Sequence, residues 1–198
     1  MTNIFAGKKV RLRAIETEDW PTHFAWNDDS EAARNSYHIP FPESSTAVKT
    51  WAENTTKNTG ETSDNYHLQI ETLDGVLVGS INSHSTNPRA GTFGYGLAIL
   101  PDHQRKGYAT EAVFLLLRYF FHELRYQKCT VQVYSFNASS LKLHERMGFQ
   151  QEGRLRRMVY TDGQFHDVIY FGITREEFED LHIKHANDDT SSADAEAE

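Results

Sequence analysis

The sequence has little cysteine and no long apolar run. Cys129 is the single cysteine among 198 residues, which excludes an internal disulfide and any metal site built from several cysteines. The most apolar stretch, 112–121, contains Arg118 and falls short of the roughly 18 apolar residues that a membrane helix needs. The first residues include basic side chains but lack the apolar core and cleavage site of a signal peptide. We therefore expect a cytoplasmic protein with no membrane partner.

Basic residues are in deficit. The chain carries 20 Lys and Arg against 28 Asp and Glu, a net charge of −8. Five acids and no base lie in the segment 187–198, so the net charge of the rest is −3. Such a body lacks the large basic surface that binds nucleic acid, and we expect no nucleic-acid partner. The polar, acidic segment 187–198 is predicted to be a disordered tail behind one folded domain, 8–178.

Alternating and helical apolar spacings predict a mixed α/β fold of the α+β kind. The elements follow the order strand, two helices, three-strand meander, helix, strand, helix, hairpin. The long helix begins near Ala109 and carries one apolar stripe. Thr17 is predicted to cap the first helix, and Asn137 a short helix that Gly148 ends. The predicted strands cover 9–15, 66–71, 76–83, 91–100, 129–134, 155–160 and 166–173, with tight turns at 74–75 and 162–163 and further helices at 17–26 and 46–57.

One strand-to-helix junction carries chemical information. A strand ends at Pro101, and a polar turn leads directly into the long helix. Such a junction directs free backbone N–H groups and the positive end of the helix dipole to one point, where anions bind. Gly107 lets a ligand approach the backbone, and Arg105 and Lys106 add positive charge. The pattern predicts a phosphate or pyrophosphate site, with an ordinary polar loop as the alternative.

Two common phosphate-binding patterns do not fit this junction. A Walker motif needs Gly-Lys followed by Ser or Thr, whereas here Lys106 precedes Gly107. A Rossmann motif has its glycines at the strand-to-helix turn, whereas Gly94 and Gly96 lie inside a predicted strand. The physical pattern alone therefore leaves the identity of the phosphate ligand open.

The segment Gln104-Arg-Lys-Gly-Tyr-Ala109 resembles the Q/R-x-x-G-x-G/A signature of the GNAT family, the acetyl-CoA-dependent N-acetyltransferases. Two further segments agree in the same order. The run 137–149 is similar to the family's N-x-x-S/A helix that ends in Gly-Phe, and 10–13 with 160–167 looks like the subgroup of ribosomal-protein N-terminal acetyltransferases. The resemblance covers about residues 8–178. It implies a GNAT-like mixed central sheet with a splayed pair of parallel strands and helices on both faces.

The resemblance also implies acetyl-CoA as the cosubstrate. In this family pantetheine lies in the gap between the strand before the signature and the strand after the long helix. By position, Ala98, Ile99 and Leu100 would contact it, and a backbone N–H near Ile99 would stabilise the oxyanion. The implied contacts to the rest of the coenzyme are Gln104, Arg105, Lys106, Gly107, Tyr108 and Ala109 for the pyrophosphate, and Asn137, whose alternative role is that of a helix cap.

The catalytic acid is implied less directly. Family members often have a proton-donating tyrosine in the last of these helices, where this sequence has His144. A histidine can give up a proton near neutral pH, and the alternative is a packing role. Ser140 in the same helix and Tyr134 at the end of the preceding strand are further candidates.

The base and the acceptor pocket are open to several assignments. Many relatives have a glutamate where this chain has Thr92, so the base is predicted to be His84, Glu71 or ordered water. The acceptor pocket is expected over the N-terminal helices and the final hairpin. Its candidate lining residues are Trp26, Tyr37, Trp51 and Tyr160.

The sequence therefore predicts an acyltransferase that moves acetyl to a primary amine. The acceptor is a protein N-terminus, such as that of a ribosomal protein, or a small-molecule amine. A non-catalytic acetyl-CoA-binding regulatory module and an ATP-type nucleotide-binding protein are the alternatives. No metal is expected, since His182 and His185 have helical spacing but no third ligand. Relatives imply a monomer or a homodimer.

Overall fold

The computed structural model describes residues 3–36, 39–57 and 63–183, which form one mixed seven-stranded sheet with helices. The strand order is β1-β2-β3-β4-β5-β7-β6. The strands are β1 Val10–Ala14, β2 His67–Thr72, β3 Leu77–Asn87, β4 Thr92–Ile99, β5 Lys128–Tyr134, β6 Gln150–Thr161 and β7 Gln164–Thr174. The helices are α1 Trp20–Trp26, α2 Ser30–Ser36, α3 Ser45–Thr55, α4 Tyr108–His122, α5 Ala138–Arg146 and α6 Arg175–Phe178, with 3-10 turns at Thr17–Asp19 and Pro101–His103 and a π-helical segment at Glu179–Ile183.

Strands β4 and β5 are the parallel pair of the sheet, connected through α4. Their register pairs Thr92 with Lys128 and Phe93 with Cys129 and goes no further. Beyond these pairs, β4 stays paired with β3 to its end, and β5 stays paired with β7 along its whole length. The two parallel strands therefore part after their first residues. This is the splayed pair that the family resemblance implied.

One face of the sheet packs against α4 and is apolar. Helix α4 forms because its apolar positions recur at helical spacing, and seven of its residues are buried. Phe93 of β4 stacks on Phe120 of α4 with ring centroids 4.1 Å apart, and meets Phe121 edge-on. This buried cluster holds the first residues of β4 against α4, because aromatic side chains supply much of the buried apolar area of a core.

The opposite face of β1 and β2 carries a polar network beneath α1 and α3. Arg13 holds both carboxylate oxygens of Asp19 at 2.8 Å and bonds to Glu71 at 2.8 Å. Gln69 lies 2.6 Å from the His23 ring. Burial alone would raise the pKa of Asp19 and of Glu71, but the arginine hydrogen bonds lower both. The network attaches the start of α1 to the sheet, so helices cover both faces, as predicted.

Most predicted elements are confirmed. The final helical turns, α6 and the π-helical segment, were not predicted, and β6 begins at Gln150, five residues before its predicted start. Two further differences have local causes. Helix α2 was not predicted, because its seven residues carry no apolar stripe at helical spacing. Thr17 was wrongly predicted as the first cap. The backbone N–H of Glu16 donates to the Asp19 carboxylate at 2.9 Å, and Thr17 lies inside the turn. Asn137 caps α5 as predicted, with its side chain accepting from the Ser140 N–H at 3.0 Å.

Residues on either side of the predicted domain, 8–178, also pack against it. The Phe5 ring packs on Tyr119 with centroids 4.8 Å apart, and His182 lies 3.0 Å from the Met147 carbonyl. The predicted tail 187–198 lies outside the described residues, as does His185. Within the described part of the chain, no helix is both long and apolar enough to cross a membrane. The same ranges hold no cluster of three or more metal-binding side chains.

Candidate active site

A pocket of about 260 Å³ lies where α1 and α2 cover the end of β4. Small side chains form much of its wall, because α2 presents two alanines and β4 a third. Asp29, whose carboxylate accepts the N–H groups of Glu31 and Ala32 at 3.0 Å, caps α2 at the pocket edge. The lining residues are Trp26, Asn27, Asp29, Ala32, Ala33, Ser36, Pro40, Ala98, Ile99, Leu100 and Pro101.

The pairing of β4 with β3 decides which of its backbone groups face the gap towards β5. The Leu100 N–H donates to the Val78 carbonyl of β3 at 3.0 Å. Backbone groups alternate sides along a strand, so those of Ala98 also face β3, while those of Leu97 and Ile99 face the gap. Of the three predicted backbone contacts, Ile99 has the required direction. The backbone groups of Ala98 and Leu100 instead face β3. The gap-facing direction of Leu97 was not predicted, because the ladder register is not visible in the sequence.

The start of α4 has the geometry of an anion site. Gly107 is the N-cap with φ of 85°, and no side chain caps the helix. The N–H groups of Tyr108 and Ala109 in the first turn therefore have no intrahelical partner. A Cβ at Gly107 would lie 2.7 Å from the Lys9 ammonium nitrogen, which donates to the Lys106 carbonyl at 3.0 Å. The left-handed backbone favours glycine at this position, whereas Lys9 approaches with the flexible end of its side chain.

The loop before α4 connects this anion site to the gap. The Gln104 side-chain amide donates to the gap-facing carbonyl of Ile99 at 3.2 Å. Arg105 and Lys106 are exposed, and Arg105 adopts a left-handed φ of 59°. Successive backbone groups in such a turn are suited to surround an anion. The structure therefore brings the predicted residues 104–109 together beside the end of β4.

Glu111 is a structural residue of the site that the sequence did not reveal. Its carboxylate accepts the backbone N–H groups of Lys8, Lys9 and Val10 at 2.7–2.8 Å. These bonds hold the chain before β1 against the first turn of α4. They explain how Lys9, more than ninety positions away in sequence, reaches the Gly107 loop.

His144 is buried, and both of its ring nitrogens are hydrogen bonded. Nδ1 lies 2.8 Å from the Ser140 carbonyl, and Nε2 lies 2.8 Å from the Tyr95 hydroxyl. A carbonyl only accepts, so Nδ1 carries the proton and Nε2 accepts from Tyr95. Burial lowers the pKa of His144, although the bond to the Ser140 carbonyl opposes this. The arrangement matches the packing alternative better than the predicted role of His144 as proton donor.

The other predicted residues of α5 and β5 lie closer to the surface. Ser140 and Tyr134 are half-buried. Asn137 also donates from its side chain to the Asn35 carbonyl at 3.3 Å, which ties α5 to the end of α2. Tyr134 occupies the last position of β5, beyond the point where β5 leaves β4, and stacks on Phe136.

The two base candidates differ in their surroundings. Glu71 is bound by Arg11 and Arg13, which lower its pKa and give it a structural role in the network beneath α1. His84 is half-buried on β3 beside Gly94, where a Cβ would lie 2.7 Å from the imidazole ring. Neither side chain lines the pocket at the end of β4.

Of the four aromatic residues predicted to line the acceptor pocket, the structure places Trp26 there. Trp51 instead packs on His23, with centroids 4.7 Å apart. Tyr160 lies on the exposed hairpin against Phe165, at 4.9 Å. Tyr37 is outside the described residues. The pocket wall contributed by α2 was missed together with that helix.

Comparison with known proteins identifies the family of this chain. Residues 9–150 match the acetyltransferase (GNAT) domain. A prophage-derived N-acetyltransferase of Bacillus subtilis, YokL, itself uncharacterized, is 39% identical over 175 residues, which are 88% of this chain and 95% of the relative. A second B. subtilis relative, YdaF, whose name proposes ribosomal N-acetyltransferase activity, is 32% identical over 108 residues, or 54% of this chain and 58% of that protein.

A solved structure supports the fold. The spermidine N-acetyltransferase of Vibrio cholerae, solved with CoA and spermine, superimposes with a TM-score of 0.76 at 22% identity, covering 87% of this chain and 99% of that one. The chain belongs to the GNAT acetyltransferase family. It is an acetyl-CoA-dependent N-acetyltransferase, and the uncapped start of α4 with its exposed cations fits a diphosphate. The comparisons give no support to the non-catalytic alternative.

Proposed function

We propose that acetyl-CoA binds with its pantetheine arm in the gap between β4 and β5 and its pyrophosphate at the start of α4, and that a primary amine enters through the pocket under α2. The parting of β4 from β5 beside that pocket carries this proposal, because it leaves the backbone N–H groups of Leu97 and Ile99 without a partner on β5, next to an uncapped helix. Pyrophosphate binding falls to the N–H groups at Gly107, Tyr108 and Ala109, with Arg105 and Lys106 adding charge.

The gap-facing backbone groups of β4 then take part in the acetyl transfer. The Ile99 N–H is directed at the gap and would donate to the thioester oxygen as negative charge develops there. The amine must be neutral to attack the thioester carbon, and the C–N bond forms as the C–S bond breaks. Proximity in the ternary complex supplies much of the rate. The amine proton passes to water or a nearby base, and the thiolate takes a proton from the catalytic acid.

We assign the acid role to Tyr134 ahead of Ser140 and His144. Tyr134 ends β5 on the side of the gap opposite Ile99, and a phenol is a stronger acid than the Ser140 hydroxyl. His144 has its one proton directed at the Ser140 carbonyl. The variant Tyr134→Phe is expected to lower kcat about a hundredfold while Ser140→Ala changes it less than threefold. Equal losses in both variants would remove this assignment.

A small aliphatic amine with further positive charge is the acceptor that the pocket fits best. The volume of about 260 Å³ and the alanine walls favour a slender chain. Asp29 lies in the wall, and Asp28 and Glu31 lie one and two positions from it in the chain. Carboxylates at such a mouth attract cations and repel anions. Polyamines combine these properties, and the V. cholerae protein of the same fold was solved with spermine.

A protein N-terminus is the second candidate, and one observation favours it. Arg34 of α2 bonds to Thr161 at 3.1 Å, which places the β6–β7 hairpin beside the pocket helix. On that hairpin Tyr160 and Phe165 are exposed, at 64% and 54%. Exposed aromatic side chains are suited to hold an extended polypeptide.

Turnover tests the proposal directly. Release of free CoA thiol is measured with acetyl-CoA and either spermidine or a peptide with a free N-terminus. Thermal shifts with CoA and with ATP are recorded beside it. We expect stabilisation by CoA but not by ATP, and thiol release that is faster with spermidine. Absence of a shift with millimolar CoA would refute the coenzyme site, and preference for the peptide would reverse the order of the two acceptors.

Gly107 offers a sharper test of the pyrophosphate site. Gly107→Ala forces a left-handed φ on alanine and crowds Lys9, and we expect the Kd for CoA to rise about tenfold. Gly75→Ala is the matched control, because Gly75 has a φ of 91° but no atom within 4 Å of the added Cβ. Both variants lose about 1 kcal/mol of stability, and only the first should lose CoA affinity. Equal affinities would place the pyrophosphate elsewhere.

A further inference from the structure

Tyr95 and His144 meet where β4 and β5 separate. The last register pair of the two strands is Phe93–Cys129. At Gly94 the backbones are still close, because a Cβ there would lie 2.8 Å from the Thr130 carbonyl oxygen. Tyr95, the next residue, therefore carries the first side chain beyond the last register pair of β4 and β5.

The side chains of this pair span from β4 to the far side of β5. Tyr95 is 5% exposed, and its hydroxyl lies 2.8 Å from His144 Nε2. The His144 ring stacks on Phe171 of β7 at 5.9 Å and meets Phe149 edge-on at 5.1 Å. Phe171 is the register partner of Val131 in β5. The pair therefore links β4 to α5 and β7 beneath the open part of the sheet.

The hydrogen bonding of the pair leaves one arrangement of protons. The Ser140 carbonyl takes the Nδ1 proton, so the Nε2 lone pair accepts from the Tyr95 hydroxyl. A buried polar pair in which both partners are satisfied is rigid and specific, since loss of either partner leaves the other unpaired. Beyond Phe93, no backbone bond joins β4 to β5 in the register. The Tyr95–His144 bond instead connects β4 to α5, the helix that follows β5 in the chain.

We propose that Tyr95 and His144 are a positioning pair that fixes the separation of β4 from β5 and thereby holds the gap-facing groups of Leu97 and Ile99 at the distance the coenzyme requires. This inference rests on the proposed placement of the pantetheine arm. It gives His144 a role other than proton transfer. Neither residue touches the reacting atoms, and each acts through the position of β4.

The experiment measures CoA affinity by calorimetry on the full chain, at a temperature where every variant is folded. Tyr95→Phe is expected to raise the Kd about tenfold, because His144 Nε2 loses its donor. His144→Gln keeps an acceptor near the Nε2 position, and its Kd should stay within about threefold of the wild type. Tyr119→Phe is the control, since Tyr119 lies on α4 against Phe5. The KM for the amine should not change in any of them.

A double variant separates positioning from plain stability. Replacing both partners, as Tyr95→Phe with His144→Leu, removes the unpaired polar atom, so the Tm should recover towards the wild type. If the pair positions β4, CoA affinity stays about tenfold weaker in the double variant. Recovery of both Tm and affinity would reduce the pair to a packing role and overturn the inference, as would wild-type affinity in Tyr95→Phe. Failure of the wild type to bind CoA would instead refute the proposed function, and this inference with it.

Discussion

The two ends of β4 differ in what they contact. At its beginning, Phe93 is 2% exposed, packs on three aromatic rings of α4 and the following loop, and lies where β5 is in register. At its end, Ile99 keeps β3 on one side and has no register partner on the other. One strand thus serves the core with one half and the candidate site with the other. The contrast shows how a strand can leave backbone groups open on one side while a neighbouring strand supports the other.

The largest effect is expected at the packed end. Phe93→Ala removes a buried ring from the aromatic cluster and should destabilise the protein by about 3–5 kcal/mol. Denaturant unfolding followed by circular dichroism gives this value. CoA affinity, measured where the variant is folded, should change little. A large loss of affinity would mean that the two ends of β4 are not independent.

At the open end, a proline distinguishes the two sides of the strand. Ile99→Pro removes an N–H that faces the gap and breaks no bond to β3, so kcat/KM should fall about a hundredfold with little loss of stability. Leu100→Pro instead removes the N–H that donates to Val78, and should cost stability. Activity assays and thermal melts on both variants check this. Full activity in Ile99→Pro would show that its N–H has no part in the transfer.

A larger side chain at the end of β4 tests whether the amine enters through the pocket. Ala98→Leu narrows the pocket under α2 and should raise the KM for a small amine about five- to tenfold, with the KM for acetyl-CoA nearly unchanged. Steady-state kinetics with each substrate varied in turn separates the two constants. An increase confined to acetyl-CoA would place the amine elsewhere.

The smallest expected effect is the pH dependence of stability that His144 causes, near the point where β4 and β5 part. Burial lowers the pKa of His144 in the folded chain, whereas an unfolded histidine titrates near 6.5. As the pH falls below about 6.5, the unfolded chain binds a proton that the folded chain does not, so stability decreases. Between pH 7 and 5, the free energy of unfolding should fall further in the wild type than in His144→Gln. The difference should be about 1 kcal/mol, or roughly 2–4 °C in Tm. Identical pH profiles would indicate that His144 is not neutral and buried.

Much of the fold was predictable from the sequence, since strands and helices follow local periodicity. The turn at 162–163 is confirmed by left-handed φ values of 50° and 72° at Asp162 and Gly163. Asn137 and Gly148 delimit α5 as predicted. Helix α2 was not predictable in this way, because its two alanines line a pocket and carry no pattern that distinguishes them from surface residues.

The candidate site likewise combines features that the sequence predicts with features that only the tertiary structure decides. By itself, the sequence determined the order of its motifs, the strand-to-helix junction at Gly107 that we propose as the anion site and, through their resemblance, the family. The tertiary structure alone decided that Ile99 and Leu97 face the gap, that Lys9 reaches Gly107, and that His144 is paired with Tyr95. The reason is physical: a motif is set by neighbours in the chain, whereas the direction of a backbone group or the partner of a buried ring depends on strands that pair and pack from distant parts of it.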